Sequence, residues 1–313
     1  MLLGNTFATR LCAILFLLLC PALALAQAAE EDKIPEPEDV TLETKDGVQI
    51  RATWYAGTLK KKAVPIIMIH GWEGQRGEYD ALARGLQSLG YAVICPDLRG
   101  HGQSTTVRLA DGTPKEIKHE TLRQAEIAGM VLDVEACKKF LMEKNNLGEL
   151  NIEQLCVIGA EFGCVVALNW ALADWSAPVL PAYKQGQDVK ALVLLSPVRS
   201  FKGITTRDAL SHPIIRGKLS TMIVAGKQNA KSYNEARQLH SSMETFHVKV
   251  SDDPEEQREK LDLFFIKPET SLEGTKLLAN ALKVPNNIAN FIKLRLVDKA
   301  DELTWSERRN PLK

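Results

Sequence analysis

Between an apolar run and a helix-forming stretch, the chain carries Gly159-Ala160-Glu161-Phe162-Gly163. Leu155–Ile158 before it reads as a buried strand, and Cys164-Val165-Val166-Ala167 after it as the start of a buried helix. Glycines on either side of the central residue let a strand turn sharply into a helix without a clash. The central side chain then stands at the apex of the turn, where a reacting group is presented. Here that group is the carboxylate of Glu161. It could attack an electrophile or serve as a general base toward water.

Other chemistry-bearing residues lie in turns. His70 closes the apolar run Ile66–Ile69 in a His-Gly pair, and His101 sits in Asp97-Leu98-Arg99-Gly100-His101-Gly102. Asp252-Asp253-Pro254-Glu255-Glu256 lacks the glycine and alternation of a calcium loop and reads as a solvated insertion. The loop Gly71–Gly77 is not followed by Lys-Ser/Thr, so it is not a phosphate loop. No cysteine or histidine spacing suits zinc. Neither a metal nor a cofactor is expected.

These residues need a framework. Val40–Thr44 and Val48–Tyr55 flank Asp46-Gly47, a hairpin signal. Unbroken apolar runs follow at Val64–Ile69, Ala92–Cys95, Leu155–Ile158, Ala191–Leu195 and Thr221–Ala225, and Leu261–Ile266 adds a last strand. Continuous apolar strands are buried on both faces, which predicts a parallel sheet covered by helices. Helices are expected over Glu78–Leu89, Thr121–Lys144, Ser232–Met243 and Asn287–Val297. The expected fold is α/β, with an eight-stranded, mostly parallel sheet and an N-terminal antiparallel hairpin.

Two segments carry a family resemblance: Ile66-Ile67-Met68-Ile69-His70-Gly71-Trp72, and Cys95-Pro96-Asp97-Leu98-Arg99-Gly100-His101-Gly102-Gln103-Ser104. With the turn at Glu161, their order and spacing resemble the α/β-hydrolase fold family, its esterase, lipase and serine-aminopeptidase-like members above all. The resemblance covers roughly residues 40–282. It implies that His70, Asp97, Arg99, Gly100 and His101 are structural loop residues. It also implies oxyanion-hole donors at the backbone N–H of Phe162 and near Trp72.

The same resemblance places a catalytic acid at Gly226-Lys227-Gln228-Asn229, where Asn229 stands instead of aspartate. A histidine belongs near Lys267–Gly274, yet none occurs after His247; Glu273 is the candidate at that position. Three triad positions are therefore altered together, and the ordinary serine mechanism lacks its nucleophile and its base. The Glu161 carboxylate is expected to lie in or near the oxyanion hole, because a buried carboxylate needs such donors. A rearranged site would have to draw on Ser104, Ser196, His101, His119, His240 or His247. The connection Pro197–Leu219 is too short for a large lid.

Residues 1–26 carry one cation, Arg10, an apolar run from Leu11 to Cys20, and small residues before Gln27. This reads as a secretory signal cut after Ala26. Residues 27–39 form a charged, proline-containing lead-in, 40–298 the domain, and 299–313 a tail. The net charge of zero argues against nucleic acid, and nothing argues for a membrane once the signal is cut. Cys95, Cys156 and Cys164 lie in apolar runs and read as small buried thiols, with the pairing of these and Cys137 left open. The expected protein is exported and acts in binding or as a scaffold, with a small molecule as possible ligand and oligomeric state undetermined. The alternative is an ester or amide hydrolase working through a carboxylate or a rearranged site.

Overall fold

A computed structural model describes residues 34–178, 180 and 183–308. The segment read as a signal, most of the lead-in and the last residues of the tail lie outside them. Glu36–Lys313 groups as one compact unit.

The strands are β1 (Glu38–Glu43), β2 (Val48–Tyr55), β3 (Pro65–Ile69), β4 (Ala92–Pro96), β5 (Thr106–Arg108), β6 (Pro114–Glu116), β7 (Leu155–Ala160) and β8 (Val189–Leu195). They continue as β9 (Ser200–Phe201), β10 (Ile204–Thr205), β11 (Ser220–Val224) and β12 (Leu263–Ile266). The helices are α1 (Asp80–Ser88), α2 (Gln124–Ala128), α3 (Val131–Asn146), α4 (Phe162–Trp175) and α5 (Arg207–Ser211). Then come α6 (Pro213–Gly217), α7 (Ala230–Glu244), α8 (Pro254–Lys260) and α9 (Val284–Ile292).

The main sheet has the order β12-β11-β8-β7-β3-β4-β2-β5-β6, with β1 paired to β2. Strands β3, β4, β7, β8, β11 and β12 pair in parallel, whereas β1, β2, β5 and β6 pair antiparallel. The expected fold is thus present, with ten strands in the main sheet among the described residues where the sequence suggested eight. The additions, β5 and β6, are three residues each, and β6 is fully exposed. A strand that buries nothing leaves no hydrophobic pattern to read.

Alternation sorts the side chains to two cores. Ile67 and Ile69 of β3 face a cluster with Val134 and Cys137 of α3, Val165 of α4 and Leu239 of α7. Ile66 and Met68 face the opposite cluster, with Leu82 and Leu86 of α1 and Ile288 and Phe291 of α9. Every central strand is therefore apolar on both faces, the pattern of a sheet between helical layers.

Three local readings change. The helix expected over Thr121–Lys144 is broken between α2 and α3 at Gly129-Met130. A Cβ on Gly129 would stand 2.7 Å from Nη1 of Arg99, so the break makes room for that side chain. The acidic insertion starts a helix: Asp253 accepts a hydrogen bond from the Glu255 N–H, and Pro254 occupies the first turn of α8. Residues 299–308 lie against the domain. Asn151 Nδ2 donates to the Leu303 carbonyl, and the buried Arg308 guanidinium pairs with Asp188 and Glu153 at 2.7 Å each. Cys95, Cys137, Cys156 and Cys164 are all buried free thiols. No helix among the described residues is long and apolar enough to cross a membrane.

Candidate active site

The strand order reverses direction about β3 and β7, which are neighbours in the sheet but far apart in the chain. In open α/β sheets, ligand sites form at the carboxyl ends of strands where the order reverses. Here β3 delivers His70-Gly71-Trp72 and β7 delivers Glu161 to that point.

Glu161 joins β7 to α4 with φ 50° and ψ −112°, a conformation rare for a residue with a side chain. Two backbone bonds hold it: its N–H donates to the Leu195 carbonyl at 2.8 Å, and its carbonyl accepts from Cys164 N at 3.1 Å. A Cβ on Gly163 would stand 2.6 Å from the His70 carbonyl oxygen, so only glycine lets α4 approach β3 so closely. The turn is a nucleophile elbow with a glutamate at its apex.

The carboxylate lies beside Gly71, near the place expected of it, but without the expected hydrogen bonds. No described residue donates a hydrogen bond to it, whether the Phe162 N–H, the Trp72 N–H or a histidine. Instead it lies between two glycines. A Cβ on Gly71 would be 2.6 Å from Oε2, and one on Gly274 would be 2.9 Å from Cδ. The side chain thus bridges the turn after β3 and the loop that follows β12. Burial raises its pKa above the ordinary 4.5, the charges of Glu273 and Glu78 raise it further, and Lys276 opposes them.

Asn229 and Glu273 do meet. Asn229 Nδ2 donates to Glu273 Oε2 at 3.0 Å, while its Oδ1 accepts from the Ser232 N–H at 3.1 Å and caps α7. The two positions that would hold an acid and a histidine thus hold an amide and a carboxylate, joined by a hydrogen bond. An asparagine serves both partners; an aspartate would cap the helix but face a like charge at Glu273. Gly274, next in the chain, is fixed by its N–H to Ser196 Oγ at 3.0 Å.

The loop residues behave as supports. His70 is fully buried; its Nδ1 faces the Gly71 carbonyl at 2.6 Å, and its Nε2 accepts from the Leu98 N–H at 3.0 Å. That pair of bonds fixes the neutral tautomer with the proton on Nδ1, and burial lowers the pKa. Asp97 accepts from Arg76 N at 2.7 Å and from Gln103 N at 2.9 Å. Arg99 is clamped between Asp133 and Asp46. Gly100, at φ 76°, bonds its N–H to the Ser104 carbonyl at 2.8 Å. His101 Nδ1 faces the Arg99 carbonyl at 3.0 Å, its Nε2 has no partner, and burial followed by neighbouring His70 brings its pKa down to about 4.

The parts of a rearranged site are divided: Ser196 Oγ stays at the site, accepting from Gly274 N, and the rings of His101 and His119 pack against Trp72, while the others are engaged elsewhere. Ser104 is buried and donates to the Asp97 carbonyl at 2.7 Å. His247 faces Asp262 at 2.7 Å in a cavity shared with His240 and Glu244, which none of Glu161, Asn229 and Glu273 lines. His119 stacks on His101 with centroids 4.6 Å apart. An aromatic cluster that pattern reading misses covers the donor side: Trp72 packs on Phe162, and Phe201 from the β9–β10 hairpin packs on both. Lys202, at the hairpin tip, places Nζ 4.7 Å from the Trp72 ring centroid.

A family model described as alpha/beta hydrolase fold matches residues 64–213. A non-heme chloroperoxidase of Burkholderia pyrrocinia is 41% identical over 64 residues, so the match spans 20% of this chain and 22% of that protein. Among solved structures, an esterase of Pyrococcus furiosus superposes with a TM-score of 0.58 at 16% identity, over 85% of this chain and 94% of that one. A dienelactone hydrolase of Anabaena variabilis gives 0.56 at 15%, over 84% and 100%. At such identities the likeness is one of fold. The reversal of strand order at β3 and β7, the elbow it carries and these likenesses show that the chain has the α/β-hydrolase fold.

Proposed function

We propose that the protein is an exported member of this fold that binds a small molecule or acts as a scaffold, and does not carry out serine-type hydrolysis. The observation that carries this reading is the hydrogen bond between Asn229 and Glu273 at the acid and histidine positions. A carboxylate held by an amide neither takes a proton from a serine nor, with glutamate at the apex, has one to activate. Export is supported by the signal pattern of residues 1–26.

Mature protein should turn over p-nitrophenyl acetate and butyrate no faster than background, and a fluorophosphonate probe should leave it unlabelled. Labelling at a serine would reveal a displaced nucleophile and overturn the reading. N-terminal sequencing of exported protein should begin at Gln27.

A second reading, a hydrolase using Glu161 itself, draws on one observation. Burial and the nearby carboxylates raise its pKa, as they do for many acid–base groups. It predicts turnover that disappears in Glu161→Gln.

A further inference from the structure

Beside the elbow, a cavity of about 240 Å³ opens between the α2–α3 junction, α4 and the β9–β10 hairpin. Its walls are Ile127 and Val131 on one side, Phe162 and Val166 along α4, and Ile204 from the hairpin. Asn169 is the one polar residue lining it, and its amide nitrogen is engaged twice, with the Val165 carbonyl at 2.9 Å and the Thr205 carbonyl at 3.0 Å. The second bond ties the hairpin to α4. Gln124 Nε2 ties it from the other side, to the Gly203 carbonyl at 3.1 Å. Phe201 then links this wall to Phe162 and Trp72.

A space walled by hydrocarbon holds water poorly and gains from an apolar occupant. Among the described residues, no charged side chain lines it. Glu161, the residue before Phe162, carries a carboxylate, and Glu273 and Glu78 add to the negative charge around it, which Lys276 opposes only in part. That disfavours an anionic head group nearby. We propose that this cavity is a binding site for the neutral aryl group of a small ligand, with the β9–β10 hairpin as its closing wall. The proposal rests on the cavity's lining and not on whether Glu161 is catalytic, so the turnover assay and the binding experiment fail independently.

The test is a titration of full mature protein, methyl-labelled at isoleucine, leucine and valine, with indole as the probe. Saturable shifts are expected at the methyls of Ile127, Val131, Val166 and Ile204, and none at Ile50, which belongs to a separate cluster. Ala128→Trp, which fills the cavity from its exposed rim, should weaken indole at least tenfold, while Ala128→Ser should leave it unchanged. Benzoate should bind at least tenfold more weakly than indole. Silent methyls in the wild type, or undiminished binding in a folded Ala128→Trp variant, would overturn the site. Equal binding of benzoate would overturn its preference for neutral ligands.

Discussion

The turns at the ends of β3 and β4 and the apex after β7 are built to different standards. In the first region, both nitrogens of the buried His70 have partners, Asp97 gathers two backbone N–H groups, and Arg99 is held by two carboxylates. At the apex, Glu161 has a half-buried carboxylate to which no described residue donates. The supports are paid for in folding energy and would be missed by the fold at once. The apex is tolerated, and its side chain can change without loosening the turn that presents it. Architecture and chemistry are therefore separable here, because different atoms carry them.

That contrast can be broken most forcefully at Arg99. Both Arg99 and Asp133 are buried, and Asp133 receives Arg99 Nε at 2.9 Å and Nη2 at 2.7 Å. Arg99→Ala leaves Asp133 buried without its cation, keeping only the backbone N–H of residue 99, and should cost about 3–5 kcal/mol in urea unfolding. A loss below about 1 kcal/mol would show the support loop to be as tolerant as the apex.

The next effect is on activity. If only the reacting groups are missing, then Glu161→Ser, Asn229→Asp and Glu273→His together should raise p-nitrophenyl butyrate hydrolysis at least about 100-fold over wild type. The combined variant should also take a fluorophosphonate label. Continued inertness in a folded protein would mean that the frame around the apex has drifted as well.

The smallest effect is on stability at the apex. Because folding raises the Glu161 pKa above 4.5, ionising it costs the native state. That cost is absent below pH 4.5 and complete once pH exceeds the raised value. Glu161→Gln should therefore raise Tm at pH 7 by about 1–3 °C, a figure discounted for solvent screening, and give no gain at pH 4. A lowered Tm at pH 7 would mean that the carboxylate is stabilised by its surroundings.

Much of this was legible in the sequence, since the motifs are contiguous. The His-Gly turn, the Asp97–Ser104 turn and the elbow each fit within about ten residues, and the fold follows from their order. Asn229 and Glu273, 44 residues apart, were found by position relative to strands, and their contact was not. The contact of Glu161 with Gly274 is not legible, because that glycine arrives from a distant loop and leaves space where a side chain would stand. The helix break at Gly129 was hidden for the same reason, as it answers to Arg99 from another turn. The hairpin Ser200–Thr205 has too few residues for any periodicity, yet it walls the cavity and covers the aromatic pair.

The double duty of Asn229 has a consequence for how this sequence can change. Its amide satisfies the first turn of α7 and Glu273 at the same time. Restoring aspartate alone would set two carboxylates face to face, and restoring a histidine at 273 alone would meet an amide and a glutamate at 161. Positions 229 and 273 are tied to one another by that hydrogen bond, so neither can change without altering what the other meets.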